Sequence, residues 1–146
     1  MSALALVSLG YEGRTAHELV ANLRREAVSV LVDVRLTPLS RKPGLSKHRL
    51  AQALADVGIR YVHLPALGNP PENRPAFRAG DPAGRRHFIK ILEGEHATEA
   101  LQHVAELLDG GTVALLCFER RHDSCHRHLV AEALRRQNPS VSIVEL

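Results

Sequence analysis

The chain has 146 residues, a formal net charge of +3 and 24% charged residues, and 45% of its residues are hydrophobic, as in an ordinary single domain with a buried core. Its longest apolar runs, 28–32 and 112–117, are too short to cross a membrane, and its N-terminus lacks the pattern of a secretory signal. Two cysteines exclude a disulfide framework, which favours a reducing cytoplasm. Together with the length and the short apolar runs, this predicts one cytoplasmic domain over residues 1–146, without membrane partners.

The first half of the chain alternates between apolar runs and helical patterns. In chain order we predict a strand over 4–9, a helix from Thr15 to Glu26, a strand over 28–34, a helix from Ser46 to Gly58 and a strand over 60–64. Thr15 begins its helix because Glu18, three residues later, completes a capping box. Residues 28–34 are apolar on both faces, which is typical of a strand inside a parallel sheet.

The second half of the chain begins with a segment, 65–83, that contains five prolines and is predicted to be a long functional loop. After it we predict helices over 84–93 and 97–108, a strand over 112–117, a helix capped by Asp123 or Ser124 and ending near Gln137, and a strand over 141–145. This alternation predicts a three-layer, Rossmann-like α/β fold with a mainly parallel sheet of about five strands. Ligands of such folds bind beyond the carboxyl ends of the strands.

Polar residues gather where the first, second and fourth predicted strands end. If those strands are neighbours, the three loops line one basic crevice, whose arginine-rich cations suit carboxylates and phosphates. The candidate catalytic residues are Cys125, Glu12, Asp33 and Glu119. The candidate substrate-binding residues are Tyr11, Arg14, Arg35, Arg41, Lys47, His126 and Arg127. Asp33 with Arg35, and Glu12 with Arg14, can equally form structural ion pairs that fix the loops.

Cys125 is the most distinctive candidate. The predicted last helix places it in the first turn, where the helix dipole and unpaired N–H groups stabilise a thiolate. There it would act as a nucleophile or thiol donor; the alternative is a small residue packed under the sheet. A standard cysteine phosphatase is disfavoured, because no arginine stands six positions after Cys117 or Cys125.

Metal-ligand residue types also occur near these loops, namely His63, Cys117, His122, Cys125 and His126. Their spacing matches no structural zinc pattern, and the adjacent Cys125 and His126 would point apart on a helix. We therefore predict no metal ligands and leave the cofactor unknown. Cys117, at the end of a strand, is expected to be an inert core residue.

Motifs in the same loops resemble a known family. They are Gly10-Tyr11-Glu12-Gly13-Arg14, Asp33-Val34-Arg35, the segment 38–47, Tyr61-Val62-His63-Leu64-Pro65 with Leu67-Gly68, and Cys117-x-Glu119 followed by Cys125-His126-Arg127. In this order they are similar to the family catalogued as domain of unknown function 488, over nearly the whole chain. The resemblance implies an α/β fold with a site containing Cys and Arg, and it implies no particular reaction.

These observations predict an enzyme that acts on a phosphorylated or otherwise anionic substrate, such as a nucleotide or nucleic acid. The alternative is a non-catalytic module that binds nucleic acid or a nucleotide through the basic crevice, with Cys125 serving only in packing. A third reading is a structural or regulatory metal protein. The expected partner is therefore an anionic small molecule or nucleic acid.

Overall fold

The structure, a computed structural model, describes residues 4–146. Its strands form one five-stranded parallel sheet in the order β3-β2-β4-β1-β5. The strands are β1 (Leu4–Gly10), β2 (Val28–Asp33), β3 (Arg60–His63), β4 (Thr112–Cys117) and β5 (Val141–Glu145). The predicted α/β fold is confirmed, and β4 lies between β1 and β2, as the predicted crevice requires.

Helices cover both faces of the sheet. They are α1 (Ala16–Arg25), α2 (Lys47–Ala55), α3 (Arg74–Arg78), α4 (Pro82–Leu92), α5 (Glu95–Asp109) and α6 (Arg127–Gln137). One face packs on α1 and α2 through buried leucines such as Leu19 and Leu50, and the other packs on α3 to α6 through side chains such as Phe88. Each such leucine contributes roughly 1.5–3 kcal/mol of burial free energy. Within residues 4–146, every helix is too short or too polar to traverse a lipid bilayer.

The start of α1 is confirmed in detail, whereas the start of α2 is confirmed only in position. The Glu18 N–H donates to Thr15 Oγ1 at 3.1 Å, and the Thr15 N–H donates to Glu18 Oε1 at 3.1 Å, which completes the capping box. Ser46 does occupy the N-cap of α2, but its hydroxyl makes no cap bond. It bonds instead to the backbone of Ser40, so it closes the preceding loop.

The prediction of one long loop over residues 65–83 is wrong. The segment contains two short 3-10 turns, Pro65–Leu67 and Pro71–Asn73, followed by α3 and the beginning of α4. Each of these elements has proline in its first turn, where the missing N–H costs nothing and the fixed φ favours helix. The prolines therefore begin helical turns here instead of interrupting them.

The predicted start of the last helix is also wrong. A 3-10 turn occupies His122–Ser124, and α6 begins only at Arg127, with His126 as its N-cap. Cys125 lies between the two with extended backbone, φ −118° and ψ 149°. Cys125 is therefore outside the first turn of α6, and the prediction that its side chain and that of His126 point apart is wrong.

Candidate active site

The loops after β1 and β4 are held together by backbone contacts. The Tyr11 N–H donates to the carbonyl of Cys117 at 3.2 Å, and the Glu12 N–H donates to the carbonyl of Phe118 at 2.9 Å. The Glu12 carboxylate then accepts from the backbone N–H of Arg120 at 3.0 Å. Glu12, predicted as a candidate acid or base, thus positions the loop that follows Cys117, and it pairs with this backbone instead of with Arg14.

Gly10 makes this close approach possible. It lies opposite Cys117 in the sheet register, and a Cβ added to it would stand 1.8 Å from the carbonyl oxygen of Glu119. An L-residue with a side chain cannot occupy that space without moving the loop. The glycine therefore serves backbone packing beside Cys117.

Four side chains meet at the carboxyl end of β4, and we refer to Cys117, Glu119, Cys125 and His126 as the thiol cluster. Cys117 Sγ lies 2.7 Å from Cys125 Sγ, 3.1 Å from Glu119 Oε2 and 3.7 Å from His126 Nδ1. His126 Nδ1 is also 3.5 Å from Cys125 Sγ. Three of the predicted site residues, Glu119, Cys125 and His126, are thus brought together. Cys117, which was expected to be an inert core residue, contacts all three.

The tautomer of His126 follows from its other nitrogen. Nε2 lies 2.9 Å from the carbonyl oxygen of Val34, which can only accept, so Nε2 carries hydrogen and donates. In the neutral ring Nδ1 therefore has a free lone pair facing both thiols. This arrangement lets Nδ1 take a proton from either cysteine.

The surroundings separate the acidities of the two thiols. Burial by itself would raise the pKa of Cys117, but the hydrogen bond from Cys125 and the positive charge of His126 outweigh burial and lower it. Burial, together with the contact to Cys117, raises the pKa of Cys125 well above its ordinary value. Burial opposes the charge on His126, but the nearby Cys117 raises the His126 pKa. Cys117 is therefore the more readily ionised thiol.

Ligand types for a metal ion are present in this cluster. The ligand atoms of Cys117, Cys125 and His126 all lie within 4.8 Å of one another, the one such set found among residues 4–146. Two thiolates on a tetrahedral zinc ion, each bonded at about 2.3 Å, stand about 3.8 Å apart. The observed 2.7 Å is about 1.1 Å shorter than that edge and only about 0.7 Å longer than a disulfide bond. The three ligand atoms can therefore converge on one ion, and the two sulfurs would have to separate by about 1.1 Å to hold zinc.

A cleft of about 210 Å³ opens above the thiol cluster. Its lining includes Tyr11, Arg35, Leu36, Asn69, Arg74, Phe77, Arg78, Phe118 and Ser124 as well as the four cluster residues. Arg78 donates to Glu119 Oε1 at 3.0 Å, and burial of Glu119 is outweighed by hydrogen bonds from Cys117 and Arg78, which keep its pKa low. Glu119 therefore stays ionised between a thiol and a guanidinium.

Asp33, Arg35 and Tyr61 form a second group of polar side chains, the ion-pair cluster, at the end of β2. Arg35 NH2 lies 2.7 Å from Asp33 Oδ2, and its Nε is 2.9 Å from Oδ1. The Tyr61 hydroxyl donates to the same carboxylate at 2.5 Å, and Arg35 NH1 donates to the carbonyl of Leu45 at 2.7 Å. Asp33 is fully buried and does not line the cleft, so its geometry is that of a structural ion pair.

Two predicted anion-binding arginines lie away from the cleft lining. Arg127 is fully buried, and its Nε donates to Ser8 Oγ at 2.9 Å while NH1 and NH2 have no partner among the described residues. The Ser8 hydroxyl in turn lies 2.6 Å from His122 Nδ1. Arg14 is 6% exposed, and burial together with the charges of Arg120 and Arg127 lowers its pKa. Neither arginine lines the cleft.

The remaining predicted cations, Arg41 and Lys47, lie in another place. They line a separate groove formed by residues 38–49. The three predicted loops therefore meet, but their cations do not converge on one point. Of the predicted substrate-binding residues, Tyr11, Arg35 and His126 line the cleft.

Sequence reasoning missed the residues that 69–78 contribute to the cleft. Asn69, Arg74 and Arg78 reach it because the segment 65–83 folds back over the end of β4 and β2. The proline-rich composition predicted a functional segment, and the structure places side chains of this segment at the cleft. No pattern in the sequence indicated which charged side chains of that segment face the cleft.

The protein is an α/β protein with an all-parallel sheet. A buried pair of cysteines, a histidine and a carboxylate lie beyond the central strand of that sheet. The family described as "Domain of unknown function DUF488" matches residues 15–134, and the chain belongs to that family. The comparisons with curated proteins and with solved structures return no match.

Proposed function

We propose that the protein is a cysteine-dependent enzyme that acts on an anionic substrate held in the cleft, with Cys117 as its nucleophile. The observation that carries this proposal is the position of Cys117 Sγ. It lies at the floor of the cleft and contacts a thiol, a carboxylate and an imidazole at the same time.

Cys117 suits this role better than Cys125, the residue that the sequence favoured. Cys117 is fixed at the end of the central strand, and the thiol of Cys125 donates toward it, which stabilises a thiolate there. His126 Nδ1 can accept the Cys117 proton, because its Nε2–H is committed to Val34. The resulting thiolate–imidazolium pair supplies a nucleophile, and it holds the proton that the leaving group needs.

The arginines of the cleft differ in how far their charge is already neutralised. Arg35 is paired with Asp33, and Arg78 is paired with Glu119. Arg74 has its Nε on the carbonyl of Asn69 and, among residues 4–146, forms no ion pair. We therefore assign the binding of the substrate anion to Arg74, as a fork for a carboxylate, phosphate or sulfonate.

The size of the cleft restricts the substrate. Its volume of about 210 Å³ is below the roughly 300–1,000 Å³ of most small-molecule pockets. A small anion, or the charged end of a larger molecule such as a nucleotide, fits this space. The free thiols are consistent with a reducing cytoplasm, where the enzyme would act.

The pH dependence of alkylation tests the proposal. Reduced protein is treated with iodoacetamide across a pH series, with and without phosphate or sulfate, and the labelled cysteine is identified by peptide mass spectrometry. We expect Cys117 to be labelled first, with a midpoint below the value of about 8.5 for an ordinary thiol and with protection by the anion. First labelling of Cys125, or an unprotected Cys117 of ordinary acidity, would reject the proposal. Cys117→Ser is the control for site assignment.

The binding-module alternative is favoured by one separate observation. The groove formed by residues 38–49 carries Arg41, Lys47 and Arg49 at the entrance to α2, outside the cleft. Binding of generic single-stranded or double-stranded nucleic acid that falls steeply as salt rises, and that Arg41→Ala with Lys47→Ala weakens, would support it. Unchanged binding in that double variant would remove this alternative.

A further inference from the structure

Building on the proposed function, we infer that the substrate of the cleft carries an electrophilic sulfur, as in an anionic disulfide, and that Cys125 is the resolving thiol. Cys117 would attack the substrate sulfur, and Cys125 would then release the reduced product by closing a disulfide with Cys117. The chemical class is thus thiol–disulfide exchange on a substrate with a negative charge.

The contact between the two sulfurs carries this inference. Cys125 Sγ lies 2.7 Å from Cys117 Sγ, so the pair must close by only about 0.7 Å to reach the disulfide bond length of about 2.05 Å. Cys125 is 1% exposed and Cys117 4% exposed. An acyl or phosphoryl group on Cys117 would need water or a second acceptor molecule for its release, whereas a sulfur adduct is released by the thiol that is already in contact.

The backbone around the two cysteines suits their different roles, Cys117 as the attacking thiol and Cys125 as the resolving thiol. Cys117 ends β4, which is hydrogen-bonded to β1 and β2 on its two sides, so the attacking sulfur is fixed. Cys125 lies in extended backbone between the 3-10 turn His122–Ser124 and the N-cap of α6. A small displacement of this connection closes the disulfide without disturbing the sheet.

His126 serves both steps of the cycle from one atom. Its Nδ1 lies 3.7 Å from Cys117 Sγ and 3.5 Å from Cys125 Sγ. In the first step it receives the proton of Cys117 and gives it to the leaving thiolate. In the second step it receives the proton of Cys125, whose thiolate is the attacking group.

The cycle balances in atoms and electrons. The Cys117 thiolate attacks one sulfur of R–S–S–R′, forms a Cys117–S–S–R bond and expels R′–S⁻, which is protonated to R′–SH. The Cys125 thiolate then attacks Cys117 Sγ, breaks its bond to R–S and expels R–S⁻, which is also protonated. The substrate gains two electrons and two protons, the protein becomes a disulfide, and an external dithiol reductant restores the two thiols.

The anionic aromatic disulfide 5,5′-dithiobis(2-nitrobenzoate) is a direct probe, because it bears carboxylates and releases a coloured thiolate. With a stoichiometric amount of probe, reduced wild-type protein should release both halves and lose two hydrogens in its intact mass, without retaining an adduct. Cys125→Ser should release one half and retain the other on Cys117. Cys125→Ala, checked for folding by circular dichroism, provides a second variant in case the serine hydroxyl alters the site.

The substrate class is tested by charge. An uncharged disulfide with the same aromatic core, in which carboxamides replace the carboxylates, should react at least about tenfold more slowly, and Arg74→Ala should remove most of that preference. Equal rates for charged and uncharged disulfides would overturn the assignment of an anionic substrate.

Two outcomes separate this inference from the proposed function. If wild type and Cys125→Ser retain the adduct on Cys117 equally long, the resolving role is wrong, while an acidic and anion-protected Cys117 leaves the proposed function intact. If Cys117 reacts with neither the probe nor iodoacetamide at pH values below the pKa of an ordinary thiol, both proposals fail.

Discussion

The thiol cluster and the ion-pair cluster occupy the ends of the neighbouring strands β4 and β2, yet they differ in how completely their polar groups are satisfied. In the ion-pair cluster, the Asp33 carboxylate receives three side-chain donors from Arg35 and Tyr61, and the guanidinium is closed by the carbonyl of Leu45. In the thiol cluster, Cys117 donates to Glu119, accepts from Cys125, lies 3.7 Å from His126 Nδ1 and faces the cleft.

Under the proposed function, this difference distinguishes a structural ion pair from a reactive thiol. A buried charge whose partners fill its hydrogen-bonding capacity holds a loop in place and has little left to offer a ligand. A thiol with an adjacent proton acceptor and an open face retains a lone pair for chemistry. Position at a strand end, which both clusters share, therefore does not identify a catalytic residue.

The largest effect that tests the comparison is on stability. Asp33→Ala leaves the buried Arg35 without its carboxylate, and we expect the free energy of unfolding to fall by about 3–5 kcal/mol. Tyr61→Phe removes one donor and should cost about 1 kcal/mol. Urea denaturation of both variants and of Cys117→Ala measures this. A loss in Cys117→Ala as large as that in Asp33→Ala would break the distinction.

A smaller effect concerns acidity in the thiol cluster. His126→Gln removes the positive charge that lowers the pKa of Cys117, so the midpoint of Cys117 alkylation should rise. At a pH below both midpoints, the thiolate fraction and therefore the alkylation rate should fall about tenfold for each unit that the pKa rises. His122→Gln is the matched control, because His122 bonds Ser8 and lies outside the cluster. Identical pH profiles of the His126 variant and wild type would show that the imidazole has no part in ionising the thiol.

The smallest expected effect concerns anion affinity at the cleft. Arg74→Ala should weaken the protection of Cys117 by phosphate or sulfate about tenfold, since one hydrogen bond between charged groups contributes at least about 1.5 kcal/mol. The matched control is Arg24→Ala, an exposed arginine in the last turn of α1. Protection curves at several anion concentrations measure both. Equal weakening in the two variants would mean that general positive charge, and not Arg74, attracts the anion.

The fold was predictable where local signals and packing agree. The strands β4 and β5 have the predicted bounds, because short apolar runs between clear breaks have one reading. The capping box of α1 was predictable because its two residues stand at a fixed spacing. The start of α6 was not, because Asp123 and Ser124 are good cap residues that the structure uses in a 3-10 turn.

The site was predictable as a location but only partly as a chemistry. Cys125, Glu119 and His126 were predicted from the last charged loop, and all three lie in the cluster. The position of Cys117 within the thiol cluster could not be predicted, since a cysteine that ends an apolar strand has the pattern of a core residue. Its contact with Cys125 depends on how residues 118–126 fold back, and sequence spacing does not encode that path.

The two walls of the cleft differ in how readily they accommodate amino-acid substitutions. Toward β1 the wall is backbone against backbone, because Gly10 leaves no room for a side chain beside Glu119. Toward the opposite side the wall is α3, a helix of five residues whose side chains reach the cleft from outside the sheet. Under the proposed function, selectivity for different anions could therefore be engineered in residues 69–78 without altering Cys117 and Cys125 at the floor.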